Sequence, residues 1–143
     1  MNEIKKKSGW LTLGLGGIQI IIGASGLIGG FALISDPSGG TLELPQEWLW
    51  ATPFSDYLVP GIVLIAIIGL VHLAGSVASL SRNRNAGNIA LFLGAFMCLW
   101  ILIQVRWIGL RSFLQPLYFS LGVLELLLGI LLGRPGFQTK GSE

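Results

Sequence analysis

Charged side chains are scarce in this chain of 143 residues. Only 11% of its residues are charged, whereas a typical soluble domain carries about 25%. Hydrophobic residues make up 52% of the chain, and its mean hydropathy is +0.75. A chain this short cannot bury so much apolar surface in one soluble core. The composition therefore predicts an integral membrane protein whose apolar surface is covered by the lipid bilayer.

Residues that ligate metals or perform nucleophilic chemistry are equally scarce. The chain has one cysteine, Cys98, and one histidine, His72. An intramolecular disulfide is therefore excluded, and the ligand spacings of zinc sites are missing from the sequence. The glycines of the first apolar segment lie inside a predicted membrane helix and form no nucleotide fingerprint. We therefore predict no cofactor and no metal, and the sequence favours a non-catalytic protein over an intramembrane enzyme.

Four long apolar segments dominate what is present. Each can cross a hydrocarbon core of about 30 Å, which takes roughly 20 helical residues. The predicted spans are residues 10–34, 58–80, 87–107 and 113–133. Two of the connections between them are short, which makes sequential helices antiparallel neighbours. The sequence thus predicts an all-α membrane fold, with residues 1–143 forming a single antiparallel bundle of four transmembrane helices.

The basic residues divide unevenly between the two sides of the predicted bundle. Arg106 and Arg111 fall on the side of the long first loop, and the other seven fall on the side of both termini: Lys5, Lys6, Lys7, Arg82, Arg84, Arg134 and Lys140. The positive-inside rule then predicts a multi-pass protein of the cell membrane with both termini in the cytoplasm. Because the charges are scattered, nucleic acid is not an expected partner.

The predicted external loop, residues 35–57, reads SDPSGGTLELPQEWLWATPFSDY. Pro45 is placed to open a short helix. Four aromatic residues of the loop suit the membrane–water interface: Trp48, Trp50, Phe54 and Tyr57. Two interpretations stay open. The loop either lies on the bilayer surface and caps the bundle, or it forms a lid or a re-entrant segment over a site.

The motifs DPSGG and TPFSDYLVPG in and after this loop resemble those of small bacterial four-span membrane proteins of uncharacterised function. The resemblance covers most of the chain and implies the four-span architecture, but it brings no catalytic or binding motif. Small multidrug exporters and four-span rotor-ring proteolipids are similar in plan only. The exporters carry their membrane glutamate in the first span, and the proteolipids have short external loops.

One polar side chain on each span shares its helical face with small residues. An α-helix turns about 100° per residue, so residues three, four and seven apart share a face. In the last span Glu125 shares a stripe with Gln115, Tyr118, Gly122, Gly129 and Gly133. Small residues mark helix–helix contacts in lipid, which turns Glu125 towards the protein. The corresponding polar residues of the first three spans are Gln19, His72 and Cys98.

Counted along the spans at about 1.5 Å per residue, these four side chains lie at similar depths. The sequence therefore predicts an intramembrane polar cluster of Gln19, His72, Cys98 and Glu125. A carboxylate in hydrocarbon costs several kcal/mol unless it is paired, protonated or hydrated. A contact between Glu125 and His72 is the expected way to keep both side chains in the membrane.

Three roles for Glu125 stay open. It could fasten the bundle through interhelical hydrogen bonds, which contribute roughly 0.6–2 kcal/mol in membranes. It could bind or move a proton, ion or polar solute, as in a proton-linked transporter or channel subunit. It could mediate homo-oligomerisation or docking to a membrane-protein partner. A glycine repeat in the first span, at residues 9, 16, 23 and 30, suits a close crossing inside the chain or between subunits. We favour a helix-bundle scaffold or accessory subunit.

Overall fold

The computed structural model describes residues 2–134, with side chains from Ser8 onwards, and shows no strand in that part of the chain. Its four long helices are α1 (Asn2–Ser35), α2 (Leu58–Leu80), α3 (Ala86–Ile108) and α4 (Leu114–Gly133). All four are long and apolar enough to cross a membrane. The predicted all-helical architecture with four membrane-spanning helices is confirmed at this level.

The predicted span ends agree with the helix ends to one residue, except at the start of α1. This helix begins at Asn2, whereas the predicted first span begins at residue 10. The apolar pattern detects only the part of a helix that lipid covers, so it misses a polar first turn. The part of α1 that is long and apolar enough to cross a membrane includes Ser8–Ser35. Lys140, one of the residues behind the predicted orientation, lies outside the described residues.

The helices pack most extensively as two antiparallel hairpins, α1 with α2 and α3 with α4. Glycine makes both contacts close. A Cβ atom on Gly26 would lie 2.8 Å from the backbone nitrogen of Gly69, and one on Gly94 would lie 2.6 Å from the carbonyl oxygen of Gly122. No larger residue fits at such separations, so the small-residue faces serve as the seams within each hairpin.

The glycine repeat of α1 lies in its contact with α2. A Cβ atom would lie 2.6 Å from the Leu80 side chain at Gly16 and 2.7 Å from the Leu73 side chain at Gly23. Gly30 is equally close to α2, with the Ile65 side chain 2.5 Å from its added Cβ. Of the two alternatives for this repeat, the structure therefore shows the contact inside the chain.

Apolar side chains lie on the outside of the bundle and polar ones inside it, as expected for helices surrounded by lipid. The outward-facing Ile21 and Phe92 are each 65% exposed, whereas Gln19, His72 and Glu125 are fully buried. A soluble protein shows the opposite distribution, because water favours polar groups on the outside. The surface of the four helices thus suits a bilayer.

The long loop contains two short 3₁₀ turns, Gly40–Leu42 and Gln46–Leu49. Pro45 precedes the second turn, where its fixed φ angle favours the start of a helix. The Asp36 carboxylate accepts hydrogen bonds from the hydroxyl and backbone N–H groups of Ser38 and Thr41. These bonds, with that of the Ser38 hydroxyl first, lower the pKa of Asp36 below its ordinary value of 3.8.

Three contacts hold the loop against the ends of the helices. Leu49 and Tyr57 pack on Leu33 at the end of α1. The Tyr57 hydroxyl donates a hydrogen bond of 2.7 Å to the Pro45 carbonyl oxygen. The Phe54 ring meets the Trp107 ring of α3 edge to face, with 5.8 Å between centroids. The loop thereby connects the two hairpins at one end of the bundle.

Candidate functional site

Glu125 and His72 meet inside the bundle. His72 Nε2 lies 3.4 Å from Glu125 Oε2, and both side chains are 0% exposed. His72 comes from α2 and Glu125 from α4, which belong to different hairpins. Backbone packing between α2 and α4 is sparse, because the hairpins join through α1 with α4 and through α2 with α3. The two long side chains therefore reach across the diagonal of the bundle.

The contact of His72 Nδ1 indicates which ring nitrogen carries the hydrogen in the neutral form. Nδ1 lies 3.2 Å from the carbonyl oxygen of Ile67. A carbonyl oxygen only accepts hydrogen bonds, so Nδ1 carries the hydrogen in this contact, and Nε2 of the neutral ring presents a lone pair. A protonated Glu125 carboxyl group has a hydrogen that it can direct at the Nε2 lone pair. If Glu125 is ionised, a second proton on the ring would give the two side chains opposite charges.

The geometry of the pair leaves hydrogen-bonding capacity unused. A separation of 3.4 Å is within ion-pair range but longer than the usual N–H···O distance of about 2.7–3.2 Å. His72 Nε2 and both carboxyl oxygens of Glu125 have no hydrogen-bond partner among the described residues. Loss of the shared proton would leave a carboxylate facing a lone pair, which is costly in a dry interior. The pair therefore keeps unused hydrogen-bonding capacity on His72 Nε2 and on both carboxyl oxygens of Glu125.

Apolar clusters close this polar layer on both sides. On the side of the long loop, the buried residues of α1, α2 and α3 form one cluster: Ile22, Ile68, Met97 and Ile101. On the opposite side, a second cluster is formed by Leu15, Ala90 and Leu132. Gln19 lies between the two clusters along α1 and Glu125 between them along α4, while His72 follows Ile68 along α2. Apolar side chains thus separate the pair from both ends of the bundle, in agreement with its complete burial.

Gln19 shares the polar layer but bonds to another residue. Its Oε1 accepts a hydrogen bond of 2.8 Å from the Ser79 hydroxyl, within the α1–α2 hairpin. Its Nε2 has no hydrogen-bond partner among the described residues and lies beside Gly75, one turn from His72. The structure therefore brings Gln19 to the predicted depth, but no hydrogen bond in the described part of the chain joins it to the pair.

Cys98 faces α4 and bonds to the backbone of that helix rather than to the pair. Its Sγ is 3.8 Å from the Phe119 carbonyl oxygen, and the side chain is only half-buried. The fully buried residue at this depth of α3 is Met97, next to Cys98 in the chain. No hydrogen bond links Cys98 to Glu125 or His72 within residues 8–134, but its Sγ lies beside Gly122, one turn before Glu125 on α4.

Cys98 is only half-buried because the small-residue face of α3 packs against α4. Gly87 faces Gly129 of α4, and Gly94 faces Gly122. Cys98 follows these glycines around the helix and so faces α4. The small residues of α3 therefore face its nearest neighbour, α4, and not the centre of the bundle.

The two stripe neighbours of Glu125 have local roles. Gln115 Oε1 accepts hydrogen bonds from the backbone N–H groups of Arg111 and Ser112, and its Nε2 donates to the Gly109 carbonyl oxygen. Gln115 therefore stabilises the turn between α3 and α4. Tyr118 is partly buried against the apolar cluster on the side of the long loop.

The sequence pattern missed one backbone feature next to His72. The segment Leu64–Val71 in the middle of α2 is a π-helix, and regular α-helix resumes at His72. Such segments are rare and occur frequently at functional sites. The apolar residues of this segment carry no signal that distinguishes π-helix from α-helix.

The aromatic residues of the long loop separate into two groups. Trp48, Phe54 and Tyr57 line a cavity of about 130 Å³ between the loop, α2 and α3. Trp50 does not line it and is 83% exposed. The loop thus covers a space in the bundle with three of the four aromatic residues that the sequence assigns to the interface.

Comparisons with protein-family models, curated proteins and solved structures found no match to this chain. Within the part of the chain that the structure describes, no group of three or more His, Cys, Asp or Glu residues is placed to hold a metal ion. The inference of function therefore rests on the Glu125–His72 pair and on the faces of the four helices.

Proposed function

We propose that this chain is a non-catalytic polytopic membrane protein, a helix-bundle scaffold or accessory subunit. In this proposal the Glu125–His72 pair fastens its two hairpins together. The observation that carries the proposal is the complete enclosure of the pair, with both side chains 0% exposed. A pair that serves to hold helices together needs no path to water, whereas a transport site must open to at least one side.

The sparse backbone packing between α2 and α4 supports the same role. Within each hairpin, glycine seams already bring the backbones together. Across the diagonal, polar side chains must make the connection, and interhelical polar contacts in membranes contribute roughly 0.6–2 kcal/mol each. The pair is therefore a link between two units that are each held together by close packing.

The variant Glu125→Gln tests this proposal against transport. Its amide can donate a hydrogen bond to His72 Nε2, but it cannot take up or release a proton. We expect the variant to fold and to assemble as the parent does in detergent, judged by helicity and gel filtration. Proton flux into proteoliposomes, followed with an entrapped pH-sensitive dye, should be the same for parent and variant. A flux in the parent that disappears in the folded variant would show that the structural role is wrong.

A proton-linked transporter or channel subunit is the second candidate. The observation that favours it is the unused capacity of the pair, since His72 Nε2 and both Glu125 oxygens lack hydrogen-bond partners among the described residues. Such atoms can accept a proton or a cation that enters the layer. The adjoining π-helical segment gives α2 a place to change its packing. Loss of flux in Glu125→Gln is the outcome that this candidate requires.

We also propose a place in the cell membrane with both termini in the cytoplasm and the long loop outside, from the positive-inside rule. Bacterial origin and the relationship suggested by the loop motifs belong to the same proposal. Cysteine labelling tests the orientation in a Cys98→Ala background. Ser55→Cys in the long loop should react with an impermeant maleimide added to whole cells, and Asn83→Cys in the short turn should not. The reverse pattern would invert the orientation.

A further inference from the structure

The end of the bundle opposite the long loop carries a basic surface. Arg82 and Arg84 lie in the short turn between α2 and α3, and Arg134 follows the last residue of α4. At this end the first turn of α3 contacts the last turn of α4, through Gly87 and Gly133. No Asp or Glu lies at this end within residues 8–134, and the three arginine side chains make no hydrogen bond or ion pair there. The described part of the chain therefore leaves their charge unbalanced.

Arg82 occupies a position at which glycine is the usual residue. Its φ angle is 54°, in the left-handed region. Its N–H group donates to the Ser79 carbonyl oxygen, and the N–H group of Asn83 donates to the Ala78 carbonyl oxygen. These two bonds form the Schellman motif, which ends a helix and favours glycine at the left-handed residue. Because an L-residue in this conformation costs free energy, an arginine here indicates a role for its side chain.

The Arg82 side chain lies across the start of α1. A Cβ atom on Gly9 would lie 3.1 Å from the Nη2 atom of the Arg82 guanidinium group. Glycine at this position therefore leaves room for the guanidinium group at the end of the seam between α1 and α2. Arg82 is nevertheless exposed, and the apolar stretches on either side of it begin at Ser8 and end at Leu80. In a bilayer, the ends of apolar spans lie at the level of the lipid head groups.

Exposed apolar side chains adjoin the guanidinium group. Leu13 lies one turn along α1 from Gly9, Leu80 lies two residues before Arg82, and both are exposed, as is Trp10. A guanidinium group offers a planar fork of N–H donors that suits phosphate oxygens. A phosphate group that carries hydrocarbon chains matches both parts of this surface, whereas a soluble phosphate compound would leave the apolar part uncovered.

We propose that Arg82 is the centre of a binding site for the head group of an anionic phospholipid. Its guanidinium group, held over Gly9, donates hydrogen bonds to phosphate oxygens of the head group, and the acyl chains lie against the exposed apolar side chains of α1 and α2. Arg84 and Arg134 raise the positive potential of the same end, which favours a lipid with a net negative charge over a zwitterionic one. The site is independent of the role proposed for the buried pair and of the orientation, because both leaflets of a bilayer present head groups.

The test compares dioleoylphosphatidylglycerol with dioleoylphosphatidylcholine, which has the same acyl chains and no net charge. The full chain is incubated in detergent micelles with equal amounts of the two lipids, and the retained lipid is identified by native mass spectrometry. We expect the parent to retain phosphatidylglycerol in preference. Arg82→Gln should lower this preference about fivefold, the contribution of one arginine near a membrane surface. Arg106→Gln removes an exposed arginine at the other end of the bundle and should leave the preference unchanged.

Arg82→Gly separates lipid binding from folding. Glycine suits the left-handed φ angle, so this variant should unfold in lipid-free micelles at no lower a temperature than the parent. Its preference for phosphatidylglycerol should fall as far as that of Arg82→Gln. An earlier unfolding of Arg82→Gly would assign Arg82 to folding and overturn the proposal.

The lipid measurements can contradict the proposal in three further ways. A parent without preference, or an Arg82→Gly variant that keeps it, would show that the Arg82 side chain selects no anionic lipid. An equal loss in Arg106→Gln would reduce the effect to overall charge. Displacement of phosphatidylglycerol by glycerol 1-phosphate at the same concentration would show that the site binds a soluble phosphate compound instead of a lipid.

Discussion

Polar side chains in this protein differ in whether backbone groups provide their hydrogen-bond partners. Gln115 makes three hydrogen bonds to the turn beside it. The Tyr57 hydroxyl reaches the Pro45 carbonyl oxygen. Glu125 has no backbone group within hydrogen-bonding reach among the described residues, and its nearest polar partner is His72. The side chains that the backbone satisfies stabilise turns and loops, and the pair that it leaves unsatisfied is the candidate for function.

Tyr57 provides a pH-dependent prediction at this scale. Burial, with a smaller effect from the Glu47 charge, raises the pKa of Tyr57 above its ordinary value of 10.0. The folded loop thus favours the neutral phenol. Its stabilising effect is complete below about pH 10, where the unfolded tyrosine is also neutral. It should be lost as the pH rises through the raised pKa.

We expect Tyr57→Phe to destabilise the closed loop by about 1 kcal/mol at neutral pH, the contribution of one hydrogen bond. Iodide quenching of the loop tryptophans should increase in this variant, and the additional increase that we expect above pH 10 in the parent should be absent. Ser55→Ala serves as the control, since Ser55 makes no side-chain hydrogen bond among the described residues. Identical quenching curves for parent and Tyr57→Phe would contradict the assigned role.

Each helix is defined by the face that it gives to its hairpin partner. In α1 the buried face carries the glycines at residues 16, 23, 26 and 30. In α2 it carries glycines and serines around His72, all of them buried. These seams place the backbones at separations that only glycine allows. Packing between helices, rather than a hydrophobic driving force, thereby sets the geometry of each hairpin.

The prediction at the scale of elements compares two glycines of α1. In Gly26→Ala the new Cβ would lie 2.8 Å from the Gly69 backbone nitrogen, so the two backbones must separate. We expect a loss of about 1–3 kcal/mol in the free energy of unfolding, typical of an overpacked core. The matched control is Gly14→Ala, where nothing lies within 4 Å of the added Cβ. If Gly14→Ala lowers the free energy of unfolding as much as Gly26→Ala does, the close contact at Gly26 is not what determines stability.

The sequence predicts most of the helix ends and most residues of the four small-residue faces. Hydropathy identifies α2 to the residue, and the 100° periodicity with small residues correctly turns Glu125, His72 and Gln19 inwards. Cys98 is only half-buried, because the small-residue face of α3 is turned towards α4 and not towards the bundle axis. The cavity under the loop escapes prediction, because it depends on contacts between Trp100 and residues far from it in the chain.

At the scale of the whole molecule, the two hairpins behave as separate packed units with a thin interface. The interface consists of two apolar clusters, with the Glu125–His72 pair between them and the docked loop at one end. The pair is the buried polar contact that crosses the diagonal, so a change in its protonation would act on the contact between the hairpins. The two proposed roles, fastening the hairpins and proton-linked movement, both depend on this placement and differ in whether the proton leaves the pair.

The central claim is that Glu125 and His72 act as one unit joining the hairpins, and a double-mutant cycle tests it most directly. The free energy of unfolding in mixed micelles is measured for Glu125→Leu, His72→Leu and the double variant. Each single change should cost about 1–3 kcal/mol, because it leaves a buried polar group without its partner. The double variant should be more stable than the sum of the single effects predicts, by about 0.5–2 kcal/mol. Additive losses within error would contradict the account, because they would mean that the two side chains do not depend on each other.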